Sequence, residues 1–134
     1  MIKDIPELKV ENIAIAIVRE KNELDKDVWN SYLINLKEEA IEGVLVTSTG
    51  YGIIDDEKVK TSTLRHFLDV VEPQSFIKIE PIIEAVFGVN NEYWLSFYLN
   101  HKMYDKRYVF LAESITENNF TTIPILNKKG VMIL

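Results

Sequence analysis

The stretch from Thr47 to His66, TSTGYGIIDDEKVKTSTLRH, gathers two glycines, several hydroxyls, two lysines, an arginine and a histidine. Residues of these types together can hold an anion. Glycine lets backbone approach a ligand closely. Thr61, Ser62 and Thr63 can donate hydrogen bonds, and Lys60, Arg65 and His66 supply positive charge. A helix opening near Thr61 would add its free N–H groups and partial positive charge at the same point. The candidate ligand-binding set is therefore Gly50, Tyr51, Gly52, Lys60, Thr61, Ser62, Thr63, Arg65 and His66, with a phosphate-like anion or another small ligand as its guest. A plainer reading of the same residues is a glycine-bearing turn, a charged loop at Asp55–Lys58 and an ordinary helix cap. The motif is not a Walker loop, because no GxxxxGK[ST] occurs, and Gly-Tyr-Gly is not GxGxxG.

Elsewhere the chemistry-bearing residues are sparse. His66 and His101 are the only histidines and cysteine is absent, so thiol nucleophiles, disulfides and thiolate zinc sites are excluded. No HExxH, His-x-His, EF-hand or GxSxG spacing occurs. Both histidines fall in polar surroundings and are expected to face solvent. Glu80 and Glu84 could do acid/base work in a cleft, but strand alternation places them on a solvated face. The aromatics Trp29, Tyr93, Trp94, Phe97 and Tyr98 read as sheet packing rather than a base-stacking platform. No metal, no cofactor and no catalytic residue is assigned, and the balance is against an enzyme.

The elements that must position these residues follow from periodicity. Ile13–Val18 is apolar on both faces, as in a central strand buried on both sides. Val28–Leu36 and Ile41–Thr47 follow as strands joined by short turns, which suggests successive hairpins. Leu64, Phe67, Leu68 and Val71 fall at i, i+3, i+4 and i+7, which predicts one main helix at about 61–72, stopped by Pro73. Strands return at Ser75–Glu80, Tyr93–Leu99 and Arg107–Ala112. Ser114–Glu117 has capping-box form, and the chain closes on an apolar strand, 131–134. The expected fold class is α+β and β-rich: a mostly antiparallel sheet or sandwich of about eight short strands with one helix, in a single globular domain spanning 1–134.

The bulk numbers set further bounds. The formal charge is −6, with nine bases and thirteen acids in residues 1–67 and six and eight in 68–134. Neither half is basic, which argues against nucleic acid as a partner. No apolar run reaches the length of a signal peptide core or a membrane span. The expectation is a soluble, cytoplasmic protein without membrane contact. Four apolar residues at the C-terminus suggest a strand that pairs with its own sheet or, as a homo-oligomer contact, with a second copy.

The runs WNSYLINL, GVLVTSTGYG, KTSTLRHFLD, NEYWLSFY and DKRYVFL resemble, over nearly the whole chain, a small uncharacterised bacterial family. Some of its members bear a phenylalanyl-tRNA synthetase label. The resemblance implies no activity, cofactor or site residue. A class II synthetase core would need characteristic arginine motifs, and Arg19, Arg65 and Arg107 are the only arginines. Together these readings point to a non-enzymatic binding or protein-interaction domain, self-associating in one form. The alternative is small-ligand or anion binding at residues 47–66, with weak hydrolase or transferase activity.

Overall fold

The computed structural model describes residues 8–134. Met1–Glu7, part of the N-terminal stretch read above for a leader and part of the 1–134 domain span, lie outside the described residues. Ten strands follow in chain order: β1 (Ile13–Lys21), β2 (Asp27–Asn35), β3 (Ile41–Ile54), β4 (Glu57–Lys60), β5 (Leu64–Val71), β6 (Ser75–Ile82), β7 (Asn90–Leu99), β8 (Lys102–Phe110), β9 (Thr121–Thr122) and β10 (Lys129–Ile133). The first sheet has the order β6-β2-β1-β10-β9. In the second, β3 pairs with β7, and β7 with β8, while β4 and β5 share the other edge of β3 in succession. All these pairings are antiparallel.

The two sheets pack face to face. Ile13, Ile15, Ile17, Leu33 and Ile79 from the first meet Val44, Val46, Tyr93, Leu95, Phe97, Tyr108 and Phe110 from the second in one apolar core. Such side chains each contribute roughly 1.5–3 kcal/mol when fully removed from water. As expected, β1 is central and buried on both faces. Its outer face carries Ala14, Ala16 and Val18, whose small volume admits a second cluster with Ile123 and Leu126 from the segment between β9 and β10. The C-terminal strand β10 pairs with β1 inside this sheet. At Gly130 a Cβ would run into the Ile17 carbonyl and the Val18 backbone, so only glycine permits that approach.

The predicted helix at 61–72 is absent, and its residues form the short link after β4 and then β5, which carries a bulge. The protein is β-rich and antiparallel but not α+β with a main helix. Two local features explain the misreading. Asp55 and Asp56 both have positive φ (51° and 63°), as a two-residue I′ hairpin turn requires. The returning chain therefore pairs with β3 at once and leaves no run to start a helix. Further on, Asp69 has φ 61° and the pairing with β3 slips beside it. That bulge adds one residue, so Leu68 and Val71 come to the same inner face and imitate helical spacing. Phe67 and the Val70–Val71 pair favour a pleated strand. β2 and β3 also do not form a hairpin: β2 lies between β1 and β6, and β3 crosses to the other sheet. The capping-box segment yields only a 3-10 turn at Glu117–Asn119, without a side-chain cap bond. Among the described residues no helix is long and apolar enough to cross a membrane.

Candidate functional site

Glu80 is the hub of the interior polar chemistry, and a bulge puts it there. Along β6, Ser75, Ile77 and Ile79 alternate with Phe76, Lys78 and Glu80, so simple pleating would send Glu80 outward with Lys78. The pairing of β2 with β6 shifts between Ser31 and Tyr32 and leaves Ile79 without an opposite residue. Past that extra residue the alternation reverses, and Glu80 turns inward. Its side chain keeps only 11% of its exposure. The expectation of a solvated face is therefore wrong for Glu80.

The carboxylate reaches from the first sheet to three strands of the second. Ser48 Oγ on β3 donates to Glu80 Oε1 at 2.8 Å. His66 Nε2 on β5 lies 2.7 Å from the same oxygen. Tyr93 Oη on β7 donates to Oε2 at 3.1 Å. Burial, then the neighbouring Glu80 charge, push the Tyr93 phenol well above its ordinary value, so it stays a donor. Three donors on one buried carboxylate satisfy the rule that buried charge must be bonded. His66 is not solvent-facing as expected: its side chain is 25% exposed and points between the sheets.

Beside Glu80 lies a cavity of about 250 Å³. Ser48, Tyr93 and Glu80 line it on the polar side, Leu64, Pro81, Ile82, Ile83 and Val86 supply apolar wall, and Gly50, Thr61 and Ser62 border it from the kinked hairpin. The kink arises because Thr61, Ser62 and Thr63 oppose only Thr49 and Gly50 between the flanking pairs Tyr51↔Lys60 and Ser48↔Leu64. Thr61 Oγ1 accepts from Gly50 N at 2.8 Å and donates to the Ser62 carbonyl at 3.0 Å. Thr49 and Thr63 hydroxyls bond each other at 2.8 Å. Gly50 and Gly52 serve by close approach, not by unusual backbone: Cβ atoms there would crowd Thr61 and Val89, and positive φ among the glycines is confined to Gly43.

Of the nine residues singled out from sequence, Gly50, Thr61 and Ser62 border the cavity and His66 joins its polar floor through Glu80. Lys60 pairs with Tyr51, and Arg65 with Thr47, at outward positions of the second sheet. The positive charges are thus not brought together, and the helix end meant to assist them does not exist. Tyr51 faces outward too, Thr63 binds Thr49, and Gly52 packs on Val89. Sequence reasoning missed Ser48, Asn91 and Glu92, and set Glu80 and Tyr93 aside. The strand pattern Val44, Val46, Ser48 carried a signal for Ser48: a hydroxyl in line with core positions needs a buried partner. Among the described residues no group of three or more His, Asp or Glu is placed to hold a metal.

The arrangement suits binding better than nucleophilic catalysis. Ser48 and His66 both bond the same Glu80 oxygen, so the Nε2 that would have to take a proton from serine is occupied by the carboxylate. The fold and site define a two-sheet antiparallel β domain with a polar-floored cavity that residues of both sheets line. A scan of the sequence against protein-family models and against curated proteins finds no match.

Proposed function

We propose that this protein is a non-enzymatic binding domain that takes a small molecule into the cavity that both sheets line. The observation that carries this reading is the juxtaposition of apolar walls with the buried Glu80 carboxylate at about 250 Å³. Ligand sites are typically apolar concavities with a few placed polar groups, of roughly 300–1,000 Å³ for drug-sized guests. A guest here is smaller than that. Replacing Leu64 by Trp fills the mouth from the rim and tests the reading. Fragment binding that shifts Ser48 and Tyr93 resonances in the wild type should disappear in Leu64→Trp. Persistent binding in that variant would place the guest elsewhere.

Self-association is a second reading, supported by a different face. Phe67, Trp94, Tyr98 and Met103 are exposed apolar side chains at outward positions of β5, β7 and β8. Contiguous patches of this kind mark contact surfaces. Sedimentation of wild type beside Phe67→Glu/Trp94→Glu tests it: a dimer lost in the variant supports the reading, and a monomer at high concentration removes it.

A further inference from the structure

We infer that the cavity selects a small primary ammonium compound with an apolar body, its head group on Glu80. This inference rests on the small-ligand reading above and names its ligand class.

The argument is a census of donors and acceptors on the cavity floor. Ser48 has given its hydroxyl proton to Glu80. Tyr93 has done the same. Thr61 has given its proton to the Ser62 carbonyl. Asn91, also in the lining, uses its amide donors on the Val86 and Val89 carbonyls, at 2.8 and 3.0 Å. What these groups retain is acceptor capacity: the Ser48, Tyr93 and Thr61 oxygens and Asn91 Oδ1. Glu80 adds to it. Its Oε1 receives two bonds and its Oε2 receives one, so a carboxylate with about four acceptor sites keeps one open.

A floor of acceptors around a buried negative charge is complementary to a group with donors and no acceptor. Ammonium is that group, with three donors and a positive charge. An anion would meet two carboxylates in the lining, Glu80 and Glu92, and the donors that remain are rim hydroxyls, of Ser62 and of the Thr49–Thr63 pair. A neutral alcohol brings one donor and no charge. The body must be apolar because Leu64, Pro81, Ile82, Ile83 and Val86 form the walls. Size sets its extent. A 150 Å³ apolar cavity accepts benzene, so 250 Å³ accommodates one ring with a one-carbon arm and its head group.

Benzylammonium, benzyl alcohol and benzoate share that ring and differ in charge and donors. Each is titrated at neutral pH into the full-length wild type, followed by amide and tyrosine ring shifts. Benzylammonium should bind at Ser48, Leu64 and Tyr93 at least tenfold more tightly than benzyl alcohol, and benzoate should not bind there. Benzyl alcohol or benzoate binding at those residues as tightly as benzylammonium overturns the ammonium assignment and leaves the small-ligand reading standing. Absence of site shifts with all three overturns both. This comparison uses wild type alone, so it does not depend on any variant folding. Glu80→Gln keeps the shape, removes the charge and adds donors. It should abolish the preference for benzylammonium over benzyl alcohol, and a preference retained in a folded E80Q overturns the role given to Glu80.

Discussion

The first sheet carries two carboxylates that are both largely buried and both tied by a tyrosine, yet their surroundings differ in one respect. Glu20 accepts from Asn30 Nδ2 at 2.7 Å, Tyr32 Oη at 2.6 Å and Lys128 Nζ at 2.5 Å, and its side chain is 10% exposed. Glu80 accepts from Ser48, His66 and Tyr93. Glu20 therefore has a lysine supplied by the chain itself, from the segment before β10. Glu80 has a histidine and two hydroxyls; each carboxylate also lines a depression, and the one at Glu80 is the more enclosed. One carboxylate is completed within the protein. The other is tied to those three groups and keeps one acceptor site open. That difference separates a structural tie from a site.

The largest effect that distinguishes the two regions is the loss of each carboxylate. Glu80→Leu strands Ser48, His66 and Tyr93 as buried donors between the sheets and should destabilise the fold by about 3 kcal/mol. Glu20→Leu should cost less, about 2 kcal/mol, because the freed Lys128 is 44% exposed and returns to water. Urea unfolding of both variants measures the order. A smaller loss at Glu80 than at Glu20 would mean that the inter-sheet clasp is weak, and the contrast would fail.

Next comes the cation itself. Desolvation opposes the charge on Glu20, but the bonds from Lys128, Tyr32 and Asn30 and the lysine charge outweigh it and hold the carboxyl below its ordinary value. Below the unfolded value the unfolded chain binds more protons than the folded one. The stabilisation is therefore complete above pH of about 4.5 and is lost as pH falls through the depressed folded value. Lys128→Ala should remove about 1 kcal/mol at pH 7 and flatten the acid limb of the stability curve. An acid limb unchanged in Lys128→Ala would show that the lysine does not hold Glu20 charged.

These two regions were not equally legible in the sequence. The apolar part of β1 could be read outright, since Ile13–Val18 is apolar on both faces and its burial follows from composition alone. Its extension through Glu20 to Lys21 could not, because the polar residues from Glu20 onward read as a turn. The fate of Glu80 depended on a single extra residue, Ile79, that reverses the pleat. Nothing in Ser75–Ile82 announces a bulge, so alternation gave the wrong face. Asp69 did the same to β5, where one inserted residue turned a strand period into a helical one. The candidate stretch 47–66 was found because its polar residues cluster in sequence, and Gly50, Thr61, Ser62 and His66 do reach the cavity or its floor. Its partners Glu80, Asn91 and Tyr93 come from β6 and β7, so the site exists only after long-range pairing brings four strands of two sheets together.

The smallest effect separates the regions most finely. Tyr32 and Tyr93 each donate to one of the two carboxylates, and each phenol is pushed upward, first by burial. The Tyr32 bond is short, at 2.6 Å, and reaches Glu20 Oε2 beside Asn30. Tyr32→Phe should therefore cost about 1 kcal/mol, near the value of one engaged hydrogen bond. The Tyr93 bond is 3.1 Å long and lands on the Glu80 oxygen that retains an open acceptor site. The cavity is large enough for water, and a water can replace a lost hydroxyl nearly as well as a direct partner. Tyr93→Phe should then cost only about 0.5 kcal/mol, even though Tyr93 is the more deeply buried of the two tyrosines. Paired urea unfolding of the two variants measures the difference. A cost at Tyr93 equal to or above that at Tyr32 would mean that no solvent reaches Glu80. A carboxylate sealed from water is also sealed from an incoming ammonium, so that result would return Glu80 to the same structural role as Glu20.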